Sequence, residues 1–123
     1  MPRKRPQTID PREKAVLLDE FWTMIALLET RDEVKSFFKD LLSETEAIML
    51  ARRIQIAKLL LTGAGYSEIQ EKLGTGPSTI ASVHHWLQGG FGGYEGAIPK
   101  LEKELDRREA VMERHEEESV PLS

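Results

Sequence analysis

The stretch of sequence that decides the fold of this chain runs from residue 66 to residue 87 and reads YSEIQEKLGTGPSTIASVHHWL. Its first part places Ile69 and Leu73 four residues apart, on one face of a short helix. Gly74 permits a tight turn after that helix, because glycine adopts the left-handed backbone that such turns use. Pro77 then fits the first position of a second helix. The spacing predicts helices at about 67–73 and 77–88, joined as a helix-turn-helix.

The two faces of the second helix differ in chemistry. Ile80, Val83 and Leu87 are spaced three and four residues apart and are expected to point inward. The outer face near the start of the helix carries small or polar side chains, namely Ser78, Ala81, Ser82 and His85. A merely solvated face usually carries long charged side chains, so this face favours contact with base edges in a major groove. The alternative, from spacing alone, is a plain helical hairpin inside a bundle.

Helix signals continue on both sides of this segment, and strand signals are nearly absent. Capping patterns at residues 10–13, 30–33 and 43–46 predict the starts of three preceding helices. The third of these is rich in apolar residues on several sides and is predicted to be central. It ends at Gly63, and a last helix is predicted from Tyr94 to about His115, after a second glycine-rich break. The chain is thus predicted to be all-α, with six helices.

Charge is distributed unevenly along the chain, whose formal net charge is −4. Residues 1–42 and 43–91 are each neutral, and residues 92–123 hold five basic and nine acidic side chains. We expect a basic arm at residues 1–9, an all-helical domain at 10–115 with its helix-turn-helix at about 66–88, and an acidic disordered tail at 116–123. A neutral body with a basic arm can bind DNA, although the phosphate contribution to affinity should be weak.

The composition argues against several classes of protein. The absence of cysteine excludes disulfides, thiolate catalysis and cysteine-based zinc sites. No apolar run approaches the roughly 18–20 residues of a membrane span, and no signal peptide is visible, so we expect a cytoplasmic protein. His84 and His85 point about 100° apart on a helix, so no metal site is predicted. Without a phosphate-cradling motif or a carboxylate pocket, we expect no enzyme.

Residues 41–87 resemble the Trp repressor family, and especially its smaller Trp-repressor-like bacterial relatives. The shared pattern is Leu41-Leu42-Ser43, Arg53-Ile54-Gln55-Ile56-Ala57, Gly63, Tyr66-Ser67-Glu68-Ile69, Gly74 and Ser78-Thr79-Ile80. The resemblance implies an intertwined helical homodimer whose helix-turn-helix reads operator DNA after a corepressor orients it. The resemblance therefore implies a sequence-specific DNA-binding transcriptional regulator that acts as a repressor and is associated with the bacterial nucleoid. The alternative is a helical dimerisation or adaptor protein that keeps the fold without useful DNA binding.

The residues expected to contact double-stranded DNA are Gln70, Gly76, Pro77, Ser78, Thr79, Ala81, Ser82 and His85. Arg3, Lys4 and Arg5 are also expected to contact DNA, as an arm in the minor groove. The alternative, with equal weight, is that these residues only make the terminus soluble. The family's DNA-facing positions fall on Pro77, Ser78 and Ala81. None of the three side chains can make a bidentate base contact, so readout should depend on water, backbone amides and DNA shape.

The resemblance also implies a corepressor site, at Ser43, Arg53, Thr79 and Ser82. Arg53 falls where the Trp repressor has an arginine against its tryptophan ligand, and Ser82 replaces the second ligand-contacting arginine. We therefore expect no tryptophan cofactor, while another small-molecule effector stays open. The pair Arg52-Arg53 is interpreted either as helix-surface charge or as a contact to ligand or phosphate. Trp86 is predicted to lie in the core.

Overall fold

The computed structural model describes residues 8–119, and the regular structure in that range is entirely helical. Six α-helices follow one another within these residues: α1 (Pro11–Ala26), α2 (Arg31–Leu41), α3 (Glu44–Leu61), α4 (Tyr66–Leu73), α5 (Pro77–Gly89) and α6 (Gly93–Ser119). The all-α class and the six helices predicted from the sequence are confirmed.

The first three helices begin at capping residues. Asp10 accepts a hydrogen bond from the Arg12 amide at 3.0 Å and so satisfies one of the free amides of the first turn of α1. At the start of α2, Thr30 and Glu33 form a reciprocal capping box. Ser43 caps α3 in the same way. Local side-chain chemistry therefore fixes where each of these helices starts.

The chain divides into two compact units between Ala47 and Ile48, so that α3 contributes residues to both. In the first unit, neither α1 nor α2 has a buried side chain. Phe21 and Trp22 of α1 contact each other with ring centroids 5.1 Å apart, yet Trp22 stays 59% exposed. The apolar side of α1 is thus largely accessible to solvent.

The second unit contains the buried core. Its members come from four helices: Ile56 and Ala57 of α3, Ile69 of α4, Ile80 and Val83 of α5, and Ile98 of α6. The inward orientation predicted for Ile69, Ile80 and Val83 is confirmed. Burial of one such aliphatic side chain contributes about 1.5–3 kcal/mol, so these contacts pack the two short helices of the motif against α3 and α6.

The turn between α4 and α5 has the geometry predicted for it. Gly74 adopts a left-handed conformation with φ +64°, and its amide donates to the Gln70 carbonyl at 2.8 Å. Pro77 occupies the first turn of α5, directly after its cap residue Gly76. Because residues with a Cβ rarely adopt this conformation, glycine at position 74 lets α4 stop and α5 start within three residues.

Two expectations from the sequence are wrong. Trp86 is 46% exposed, because Val83 and Leu87 occupy the inward side of α5 on either side of it. The last helix continues to Ser119, so residues 116–119 are helical where we expected a disordered tail. Glutamate and arginine are good helix formers, and Arg107 and Arg108 both pair with Glu104 one turn earlier, which favours the helix.

Hydrogen bonds from Arg107, then from Arg108, lower the pKa of the Glu104 carboxyl to about 2, so these pairs stay intact at neutral pH. The rest of the expected tail, residues 120–123, lies outside the described residues, as do Arg3, Lys4 and Arg5 of the basic arm. Within residues 8–119, no helix is both long enough and apolar enough to cross a membrane.

Candidate nucleic-acid interface

The outer face of α5 presents short side chains to solvent. Ser78, Ala81 and His85 are exposed, as are Gly76 and Pro77 at the start of the helix. No side chain caps the first turn of α5, because its cap residue is a glycine. The face therefore offers one hydroxyl, one methyl group, one imidazole and the free amides of a helix N-terminus.

The remaining predicted DNA contacts on the motif are less accessible. Gln70, Thr79 and Ser82 are each partly buried. Ser82, expected on the outer face, accepts a hydrogen bond from Arg53 at 3.3 Å and is thus directed toward α3. The exposed members of the set lie on α5 and its cap residue, and all of them except His85 are in its N-terminal half. Ser82 is instead held by its hydrogen bond to Arg53.

Two consecutive arginines of α3 contact the two helices of the motif. Arg53 donates through Nη2 to Ser82 Oγ of α5. Arg52 donates through Nη1 to the carbonyl of Leu73, the last residue of α4, at 2.5 Å. Carbonyls at the end of a helix have no intrahelical donor, so the Arg52 guanidinium satisfies one that the helix leaves free. Polar contacts of α3 therefore reinforce the apolar packing that positions α4 and α5.

A small cavity lies beside these arginines. It has a volume of about 200 Å³ and is lined by Met49, Arg52, Arg53, Thr75 and Thr79; we call it the arginine cavity. Arg53 and Thr79 were predicted as ligand-binding residues from the sequence, and both line it. Arg52 was interpreted only as part of the pair Arg52-Arg53, either as helix-surface charge or as a contact to ligand or phosphate, and Thr75 was not predicted. Their only sequence signal is the adjacency of Arg52 to Arg53 and of Thr75 to the turn glycine.

Ser43, another predicted ligand-binding residue, is engaged at the first turn of α3. Its hydroxyl accepts the Glu46 amide at 3.2 Å, and its own amide donates to the Glu46 carboxylate at 2.9 Å. The bond from the Ser43 amide is the main reason that the pKa of Glu46 is lowered. Ser43 also lines a cavity of about 560 Å³ in the first unit, together with Lys35 and Lys39.

Tyr66 and His84 form a hydrogen bond that sequence reasoning missed. The Tyr66 hydroxyl lies 2.9 Å from His84 Nδ1, and the two rings meet edge-on at 5.8 Å. With the neutral tautomer protonated at Nε2, the tyrosine donates and the histidine accepts. The bond joins the first residue of α4 to the middle of α5. Among residues 8–119, no group of three or more histidine, aspartate or glutamate side chains could hold a metal ion.

An apolar groove of about 420 Å³ lies on another part of the second unit, lined mainly by Ile54, Trp86, Phe91, Tyr94 and Ala97. Phe91 is 95% exposed, and its ring stacks on Trp86 at 6.2 Å with an interplanar angle of 20°. We call this surface the aromatic groove. Such a contiguous apolar surface is typical of a contact site for another macromolecule.

Comparison with known proteins gives matches over most of the chain. Residues 16–102 match the family model described as Trp repressor protein. The uncharacterized protein YerC of Bacillus subtilis (strain 168) is 31% identical over 86 residues, which cover 70% of this chain and 83% of YerC. The matched family region ends within α6, so residues 103–119 continue that helix beyond it.

Two solved structures share the fold. A candidate Trp repressor from Staphylococcus aureus is 32% identical, with a TM-score of 0.66, and the match covers 76% of this chain and 96% of that one. A TrpR-like protein from Eubacterium eligens is 29% identical, with a TM-score of 0.67, and the match covers 75% of this chain and 95% of that one.

Proposed function

We propose that this chain, which belongs to the Trp repressor family, is a sequence-specific DNA-binding regulator that represses transcription as a homodimer on the bacterial nucleoid. The observation that carries the proposal is the helix-turn-helix of α4 and α5, whose inner side chains are buried in the core. The outer face of α5 is exposed and carries short side chains. The family is a regulatory one, and we propose no catalytic activity.

The chemistry of α5 suits close approach to a major groove rather than a large number of charged contacts. Ser78 and Ala81 are short, so the helix backbone can lie near the base edges. Neither side chain makes a bidentate contact that would identify a base. Sequence discrimination therefore comes from water-mediated contacts and from the shape and deformability of the DNA. His85, one turn further along, adds an imidazole that reaches phosphate or a base edge.

The homodimer is supported by large apolar side chains that stay exposed in both units. On α1 they are Val16, Leu17, Leu18, Trp22 and Met24, and on α3 they are Ile48, Met49, Leu50, Ile54 and Leu61. A second copy that covers these side chains removes them from water and makes folding and association one process. A two-fold dimer also presents two α5 helices to major grooves about 34–36 Å apart.

The test of this function is selection of duplexes from a random pool by the purified full chain, followed by affinity measurement at several salt concentrations. We expect a recurring, two-fold symmetric site that binds at least about 10³-fold more tightly than a scrambled duplex. Deletion of residues 1–8 should weaken binding to both duplexes and flatten the salt dependence. A stable dimer that binds no duplex at low salt would instead be an adaptor that retains only the fold.

A further inference from the structure

We infer that the arginine cavity is a phosphate clamp that receives one backbone phosphate of the bound DNA. The inference deepens the proposed function and rests on it, since it takes DNA as the source of the phosphate. The cavity combines two guanidinium groups with two threonine hydroxyls at the turn of the motif. Phosphate is the chemical group for which such a set of donors is suited.

The helix-turn-helix itself has few cations for the DNA backbone. The segment Pro77–Gly89 contains neither lysine nor arginine. In α4 the one cation is Lys72, which pairs with Glu68 at 3.3 Å. Because neutralisation of phosphates supplies a large share of DNA affinity, positive charge has to reach the backbone from another element. Among residues 8–119, Arg52 and Arg53 of α3 contact the two helices of the motif directly and can supply that charge.

Arg52 and Arg53 keep donors free for an anion. Each guanidinium has five N–H groups. Arg52 makes a hydrogen bond to the Leu73 carbonyl and Arg53 one to the Ser82 hydroxyl, both through Nη atoms. No carboxylate among residues 8–119 forms a salt bridge with either arginine. The two hydrogen bonds orient the guanidinium groups and leave their charge uncompensated.

The other side of the cavity adds to this field. Thr75 lies in the turn and Thr79 in the first turn of α5, and both hydroxyls can donate to a phosphate oxygen. The N-terminus of α5 carries the positive end of the helix dipole. The cavity has a volume of about 200 Å³, which is enough for several water molecules of roughly 30 Å³ each. A phosphate group of five heavy atoms therefore fits in it together with water.

The experiment compares the full chain with Arg53→Gln and Arg52→Gln, on the duplex that the wild type selects. Arg108→Gln is the matched control, because it removes an exposed arginine that pairs with Glu104 on α6 and does not line the cavity. We expect each cavity variant to weaken binding about tenfold or more and to lower the slope of log K against log salt by up to about 0.9. The control should change neither quantity.

A second measurement identifies the phosphate directly. Single phosphates of the duplex are replaced, one at a time, by neutral methylphosphonates. We expect one position in each half-site where neutralisation weakens the wild type but has little further effect on Arg53→Gln. A purely structural role of the arginine would leave the penalty at every position the same in both proteins, and that result overturns the clamp.

Arg52→Gln also removes the hydrogen bond to the end of α4, so folding is followed by thermal unfolding of each variant. Thr79→Val keeps every charge and gives an independent check: it should weaken binding without changing the salt slope. If the wild type binds its duplex and all cavity variants bind it equally well, the clamp is wrong while the proposed function stands.

If the wild type binds no duplex even at 50 mM salt, the proposed function fails, and calorimetry with inorganic phosphate decides the cavity separately. Heat of phosphate binding that is present in the wild type and lost in Arg53→Gln would show that the arginine cavity binds phosphate, supplied by a free ligand instead of DNA. No heat in the wild type would overturn it.

Discussion

The hydrogen bond from Arg53 to Ser82, 3.3 Å long, lies where the resemblance to the Trp repressor implies two arginines around a tryptophan ligand. With serine at position 82, an amino-acid ligand meets a hydroxyl on α5 in place of the guanidinium that the resemblance implies there. A charge-assisted hydrogen bond contributes about 1.5–3 kcal/mol, which corresponds to about 10- to 150-fold in affinity. The Arg53–Ser82 bond also occupies part of the donor capacity that remains.

We therefore expect free L-tryptophan to bind weakly or not at all, and the affinity for DNA to be independent of it. Titration calorimetry with the full chain, alone and with its selected duplex, measures both quantities. A micromolar dissociation constant together with tighter DNA binding would contradict the prediction. Loss of that signal in Arg53→Ala would then show that one arginine is sufficient.

The bond between Tyr66 and His84 gives a second test on single side chains. Tyr66→Phe removes the hydroxyl and leaves His84 Nδ1 without its partner. We expect the free energy of unfolding to fall by about 1 kcal/mol, measured by denaturant unfolding. Tyr94→Phe is the control, since this tyrosine is also partly buried and the structure records no hydrogen bond of its hydroxyl within residues 8–119. Equal effects of the two substitutions would show that the bond contributes nothing.

Apolar positions of the site could be predicted from the sequence, whereas its polar contacts could not. The spacing of Ile80 and Val83 identifies the buried face of α5, because helical period and burial are local properties of the sequence. The hydrogen bonds of Arg52, Arg53 and Tyr66 join residues 18 to 29 positions apart. No local pattern encodes such a pair, since the partners meet only when α3, α4 and α5 pack together.

Helix α5 as an element carries the next prediction. Ser78→Glu and Ala81→Glu each place a carboxylate on the exposed outer face, where it meets phosphate or base edges. We expect both variants to lose specific DNA binding while the far-ultraviolet circular dichroism stays helical. Gln88→Glu, near the other end of the same helix, adds the same charge and serves as the control. Unchanged affinity in both outer-face variants would mean that α5 does not enter the groove.

The ends of helices were predictable where a cap or a glycine specifies them. The starts of α1 and α5 and the end of α4 match the prediction, because proline and glycine restrict the backbone at those points. The end of α6 was predicted four residues too early, since no breaker residue lies between His115 and Ser119. The prediction that Trp86 lies in the core was wrong for another reason. Its neighbours Val83 and Leu87 occupy the inward side of α5, so Trp86 is left on the exposed side.

For the whole molecule, we expect a homodimer at micromolar concentration. The core of the second unit contains six buried residues, and α1 and α2 have none, so much apolar surface stays exposed in a single copy. Sedimentation equilibrium of the full chain measures the mass directly. Trp22→Glu on α1 should shift the equilibrium toward the monomer, and Glu20→Gln on the same helix is the control. A well-folded monomer in the wild type would contradict this prediction.

Phe91, which is 95% exposed and lies between two pairs of glycines, gives the chain a bond that chymotrypsin should cleave. Proteases that cut after aromatic residues need an accessible segment, and residues 89–93 are all exposed and include four glycines. Cleavage there separates the helix-turn-helix from α6, whose Ile98 completes the core, so the nicked protein should lose DNA binding. If a second copy covers the aromatic groove, cleavage should accelerate on dilution below the dimer dissociation constant. The rate of digestion at one peptide bond then reports the state of assembly, and a rate independent of concentration would show that the groove is not part of the dimer interface.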